Sequence, residues 1–214
     1  MQNFSEHFNI STVDSFWMIS ARWLICSIGV IANLVVIVVF VYNNTYRKSL
    51  SHTLLLHLSI TDLVGCALYL VFFNSNAPSG LWGRVFCKSR VLFWYTSATS
   101  TYNLVMLTIE RYIAVVHPLF YRTKSFGQKR TVPLLILHVL GSLTAFQVGI
   151  TADLSKDVHG ECVYNYSSKL IAVVLAVYVF SMCWLIPVSV MGFCYTRILL
   201  KLNTITQLHV VMVS

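Results

Sequence analysis

Charge is what this sequence has least of. Asp, Glu, Lys and Arg make up 10% of its 214 residues while hydrophobic types make up 57%. With a mean hydropathy of +0.73, such a chain cannot cover itself with a water-facing surface, which excludes a soluble globular protein and leaves a membrane protein. Five stretches are almost empty of charge: Arg22 to Arg47, Lys48 to Arg84 with Asp62 alone inside it, Arg90 to Glu110, Arg130 to Asp153, and Lys169 to Arg197. Each suits one helix of roughly 20 residues with some tilt or overhang. Alternation of apolar and polar residues is also missing, which excludes the strands of a membrane barrel. The expected fold is therefore all-α, with spans near 21–43, 52–73, 88–114, 131–151 and 169–200. An external segment 1–20 precedes them and a cytoplasmic tail 203–214 follows.

Other absences narrow the function. No basic start leads into a short apolar run and a small-residue cleavage site, so no removable signal peptide is expected and the first span acts as the insertion signal. No pair of histidines four apart flanks a glutamate, and no nucleophile sits at a spacing that would give it a base, so no catalytic role is read. Asp62 has no counterpart in a later span, so the inverted repeat that many transporters carry is not visible. A five-span ion transporter or channel with Asp62 as its ion site is the alternative of a different class.

The charges that are present fall unevenly. With the N-terminus outside, Arg47, Lys48, Arg111, Arg122, Lys124, Lys129, Arg130, Arg197 and Lys201 lie inside. The external cations Arg22, Arg84, Lys88, Arg90, Lys156 and Lys169 are offset by Glu6, Asp14, Asp153, Asp157 and Glu161. This is the positive-inside pattern, and it accounts for the net charge of +8 without invoking nucleic acid. Arg122, Lys124, Lys129 and Arg130 are then expected to meet lipid headgroups.

Within the spans the polar groups stand out. A carboxylate at the depth of Asp62 costs roughly 3 kcal/mol unless it is partnered or neutralised. Asn33 and Ser100 are the natural companions for a small pocket holding water or a cation such as sodium, and the other reading is a protonated Asp62 that ties helices together by hydrogen bonds. Of the six cysteines, Cys26, Cys66, Cys183 and Cys194 lie in apolar spans and act as small hydrophobes. Cys87 and Cys162 lie outside. A bridge between them is the simplest pairing in an oxidising compartment and would constrain the unfolded chain by about 4 kcal/mol; two free thiols are the alternative. Sequons at Asn3, Asn9 and Asn165 are glycosylation candidates.

Together these residues resemble the first five helices of a rhodopsin-like G-protein-coupled receptor. The likeness rests on Asn33, Leu58-Ser59-Ile60-Thr61-Asp62, Trp82-Gly83 before Cys87, Ser100, Leu107, Glu110-Arg111-Tyr112, His117-Pro118-Leu119, Cys162, and Pro187 with Tyr195. It implies a plasma-membrane receptor that relays an extracellular ligand to heterotrimeric G proteins, with a Cys87–Cys162 bridge and a sodium-like site at Asn33, Asp62 and Ser100. It also implies that Glu110 holds Arg111 at rest, that Arg111 turns toward Tyr195 and the G protein on activation, and that Leu119 inserts into an apolar pocket of the G-protein alpha subunit. Pro187 removes a backbone donor and permits a bend.

The chain also departs from the pattern. His138 stands where the fourth span of the family has a tryptophan, and Cys87 to Arg111 is one residue short. The outer third span offers no aspartate for an ammonium ligand. Its Phe93, Trp94, Thr96 and Ser97, together with Asp153, Asp157 and Glu161 in the following outer loop, suit an apolar or basic peptide instead. Residues after Lys201 are too few for a sixth span, so the expectation is a receptor fragment, a shortened gene product incomplete for signalling, or a shortened isoform that modulates a full-length partner.

Overall fold

The computed structural model describes the backbone of residues 16–123 and 131–213. Asn3, Asn9, Lys124, Lys129 and Arg130 lie outside the described residues, as does the side chain of Arg122. The elements are α1 (Phe16–Tyr42), a 3-10 turn (Thr45–Arg47), α2 (Leu50–Asn74), α3 (Gly80–Ser89), α4 (Val91–Val116), α5 (Pro118–Thr123) and α6 (Thr131–Thr151). A hairpin of β1 (Ala152–Leu154) and β2 (Cys162–Tyr164) follows, then α7 (Lys169–Phe180), a π-helical turn (Ser181–Leu185) and α8 (Ile186–Val213).

Local chemistry sets the boundaries. The extended Ser49 opens α2 by accepting the His52 backbone N–H at 3.3 Å, and Ser168 opens α7 by accepting that of Ile171; each satisfies a donor the first helical turn leaves orphaned. After α2, Pro78 and the left-handed Gly80 (φ 71°) turn the chain. After α6 the loop pairs with itself, antiparallel, with Leu154 opposite Cys162. The outer loop expected from the sequence thus carries a small two-stranded hairpin.

Four segments are long and apolar enough to cross a membrane: α1, α2, α6 and the α7–α8 stretch as far as Gln207. The fifth, α4, has the length, 26 residues or about 39 Å at 1.5 Å per residue, but is more polar. Packing explains this: α4 lies against α2, α6 and α8, and its Thr96, Thr99, Asn103, Thr108 and Glu110 are buried in protein rather than presented to lipid. The core is centred there too, with Leu50, Leu54, Tyr102 and Leu137 forming a cluster that Met106, Leu107, Leu134, Leu140 and Met182 close. The outward faces of α1 and α7 carry Ile25, Ile28, Ile31, Val173, Val174 and Val177, all exposed, as a lipid-facing surface requires.

Three boundaries differ from the sequence expectation by three residues or more. The first helix starts at Phe16 and not at residue 21. The third span starts at Val91, three residues after the expected position, because Gly80–Ser89 forms a separate short helix that breaks at Arg90 and carries Cys87. The last helix does not stop near residue 200 but continues to Val213, since nothing between Lys201 and Val213 is a glycine or proline that would end it.

Candidate functional site

A cavity of about 450 Å³ opens between α1, α2 and α4, lined among others by Asn33, Asp62, Tyr69, Phe93, Thr96 and Ser100. Ser100 Oγ donates to Asp62 Oδ1 at 2.6 Å. The structure therefore brings Asn33, Asp62 and Ser100 to one space, although the Asn33 amide is turned back to the Gly29 carbonyl at 2.9 Å. The polar donors of this space are hydroxyl, carboxylate and amide oxygens, a set that fits a hard cation such as sodium or a water cluster.

At the opposite end of α4, Glu110 is buried at 2% exposure. Its shortest partner is one the sequence did not suggest: Tyr121, on α5, donates its hydroxyl to Oε1 at 2.6 Å. That bond, with burial adding to it, pushes the Tyr121 phenol up to about 12. Arg111 meets Oε2 only at 3.8 Å and leaves 63% of its side chain exposed. The expected neighbour contact thus exists, but as the looser of two, because adjacent helix positions diverge and only the flexible guanidinium can fold back. Tyr112 reaches His117 at 3.3 Å and packs on Phe193 of α8. Tyr195 is exposed and, among the described residues, forms no hydrogen bond or ion pair with Arg111. Pro118 begins α5 at its first position, where a missing N–H costs nothing, and Leu119 is 77% exposed.

At the other face, Cys87 and Cys162 form a disulfide that ties α3 to β2, while Cys26, Cys66, Cys183 and Cys194 are free thiols. Arg84 pairs with Asp153 at 3.6 Å, so one of the three acids expected to attract a peptide is already compensated. Arg90 donates to the Phe72 carbonyl at 2.9 Å and lies over the Phe73 ring, and burial pushes its guanidinium down from its ordinary value. Phe93 joins Tyr69, Phe73 and Trp94 in an aromatic cluster. Trp94 and Ser97 also line a second cavity of about 190 Å³ that includes Gln147 and Trp184. Thr96 turns its hydroxyl to the Phe93 carbonyl. Asn165 is exposed just after β2.

Pro187, which permits a bend, is the second residue of α8 and follows a π turn in which the Ile186 N–H bonds Ser181 O, five residues back. Sequence reasoning missed His57 and Asn103 as well. Asn103, fully buried, donates to both the Leu54 carbonyl (3.1 Å) and His57 Nδ1 (2.9 Å), and His57 meets His138. A signal was present: Thr96, Thr99, Asn103 and Glu110 recur at helical spacing and mark one polar face of α4.

A helix wrapped by its neighbours, a disulfide at one mouth and a buried acid beside an exposed arginine at the other describe a multi-pass membrane receptor bundle. The sequence pattern of the family "7 transmembrane receptor (rhodopsin family)" matches residues 32–210, and the chain belongs to that family. It is 26% identical over 205 residues to the G-protein coupled receptor homolog Q2/3L of sheeppox virus, covering 89% of this chain and 51% of that one. It is 27% identical to free fatty acid receptor 3 of Mus musculus (87% and 62% covered) and 29% identical to somatostatin receptor type 4 of Rattus norvegicus (85% and 48% covered). The chain thus spans about half to three-fifths of the length of these relatives, which are receptors and not enzymes.

Proposed function

We propose that this chain supplies the ligand-entry and transducer-contact half of a receptor that passes an extracellular signal to heterotrimeric G proteins. The supporting observation is the division of labour at Glu110 and Arg111. Among the described residues, the buried acid takes a hydrogen bond from Tyr121 on Oε1 at 2.6 Å, while Oε2 has no hydrogen-bond partner and meets the exposed arginine only at 3.8 Å, so Arg111 is held by one long ion pair that a partner's groups can replace. Leu119, exposed on α5 beside it, offers an apolar contact to the same partner. On this reading the N-terminus is outside, in line with the positive-inside count, and the Arg111 end faces the cytosol.

Asn33, Asp62 and Ser100 would hold a sodium ion, whose charge would keep the Asp62 carboxylate ionised at that depth. The ligand class that the outer face suits best is a peptide: the aromatic cluster around Phe93 and Trp94 can take apolar side chains, and the exposed Glu161 can attract basic ones. Asn165 is the accessible site for a glycan. The transporter alternative is set aside because the relatives are receptors.

Co-purification of the nanodisc-embedded chain with heterotrimeric G protein after nucleotide removal tests the coupling. Capture is expected, with a loss of tenfold or more in Arg111→Ala and a smaller loss in Leu119→Ala. Equal capture by wild type and Arg111→Ala would overturn the assignment.

A further inference from the structure

A chain of polar side chains crosses the seam between α2, α4 and α6. His57 Nε2 and His138 Nε2 are 3.3 Å apart, Asn103 Nδ2 lies 2.9 Å from His57 Nδ1, and the Tyr95 hydroxyl lies 2.6 Å from His138 Nδ1. We propose that the His57–His138 contact is a proton-operated latch between α2 and α6, closed while both imidazoles are neutral and opened when the pair takes up a proton.

The hydrogen positions follow from one carbonyl. Leu54 O can only accept, so the Asn103 group facing it at 3.1 Å is the amide nitrogen, and the second hydrogen of that nitrogen points at His57 Nδ1. His57 Nδ1 therefore accepts and its proton sits on Nε2, aimed at His138 Nε2. His138 Nε2 accepts in turn, which leaves its proton on Nδ1 for the Tyr95 oxygen. Every nitrogen of both rings is used, and no free lone pair remains for an added proton.

Protonation then has two routes, and each breaks the chain. A proton on His138 Nε2 confronts the His57 Nε2–H across 3.3 Å. A proton on His57 Nδ1 confronts the Asn103 amide, which cannot rotate away without placing its oxygen against the Leu54 carbonyl. The tautomer of His57 argues against a metal ion between the two Nε2 atoms, because a histidine bound through Nε2 must carry its proton on Nδ1, which here accepts from Asn103.

Titratable groups facing the pair are few. Among the described residues, Tyr95 faces it from α4 and each imidazole faces the other, while Asp62, further along α2, is directed to Ser100. No acid is placed to stabilise an imidazolium. His57 lies seven residues inside α2, about 10 Å from its start at 1.5 Å per residue. His138 lies equally far inside α6, and Asn103 and Tyr95 sit twelve and four residues into α4, so the latch spans the middle of the bundle.

Two measurements on the whole chain in nanodiscs test the latch. Nitrogen-15 NMR of labelled histidines at pH 7.5 is expected to show His57 protonated on Nε2 and His138 on Nδ1, both converting in one shared transition on acidification; the opposite tautomers, or a charged imidazole at pH 7.5, would overturn it. The unfolding temperature is expected to fall by several degrees between pH 7.5 and 5.5, and this drop should shrink in both His57→Phe and His138→Phe. An unchanged drop in both variants would also overturn it, and if neither variant folds the tautomers of the wild-type chain decide.

Discussion

α1 and α4 are almost the same length and have opposite characters. In α1 the most apolar stretch is 6% buried, and the figure for the α7–α8 stretch is the same; for the less apolar α6 it is 33%. α4, the least apolar of the five, buries Thr99 and Asn103 completely. In a bilayer the outer helices need no polar groups, and the central one can hold them because neighbouring helices supply the partners that lipid cannot. Hydropathy therefore reports where a helix sits in this bundle: the more apolar the helix, the further it lies from the centre.

Substitutions made in pairs, one central and one peripheral, test that contrast. The largest difference is expected between two glycines. A Cβ at Gly141 of α6 would collide with Thr99 Oγ1, whereas one at Gly192 of α8 meets nothing within 4 Å among the described residues. Gly141→Leu should cost about 3 kcal/mol or more by overpacking, and Gly192→Leu should stay within about 0.5 kcal/mol. Thermal unfolding in nanodiscs measures both, and equal effects would break the comparison.

Next in size is Asn103→Leu. It removes the donor of two hydrogen bonds, leaves His57 Nδ1 without its donor, and should cost about 2–3 kcal/mol. Thr204→Val on the exposed inner half of α8, where the hydroxyl only returns to Leu200, should be near neutral in the same assay.

Tyr121→Phe takes from Glu110 its 2.6 Å donor and should cost about 1–2 kcal/mol. The raised phenol adds a pH signature. A folded-state value near 12 against an ordinary value near 10 means the contribution is whole below pH 10 and lost as pH rises from about 10 to 12. Phenolate absorbance during alkaline titration should hold a late-ionising component that shrinks by one tyrosine in Tyr121→Phe. Smallest of all, Arg111→Ala should change unfolding by less than about 0.5 kcal/mol, because the arginine is largely exposed and its ion pair long; a larger loss would show that the loose contact is structural.

The bundle was legible in the sequence because membrane length and charge gaps set the spans directly, and the two cysteines outside them pointed to each other. Asp62 and Ser100 were legible for the same reason: a polar group in an uncharged span must find a companion. Tyr121 was not, since its bond to Glu110 depends on how α5 folds back after Pro118. His57 was missed although Asn103 lies on the polar stripe of α4, because their meeting is set by the packing of three helices and not by any spacing along one. Arg90 was the better guide at the third span: the charge gap that it opens begins where α4 begins, at Val91, whereas the expected start at 88 falls inside the short helix that carries Cys87.

The π turn at Ser181–Leu185 has a geometric effect on everything after it. An extra residue in a helical turn rotates all later positions by about 100° about the axis. The halves α7 and α8 therefore run out of phase, and the face that holds Tyr195 is turned by about 100° from where ordinary helical counting from Lys169 would put it. The orientation of that tyrosine is set by how five residues wind before Pro187, so this short coil acts as the angular gearing between the outer mouth and the inner end of the molecule.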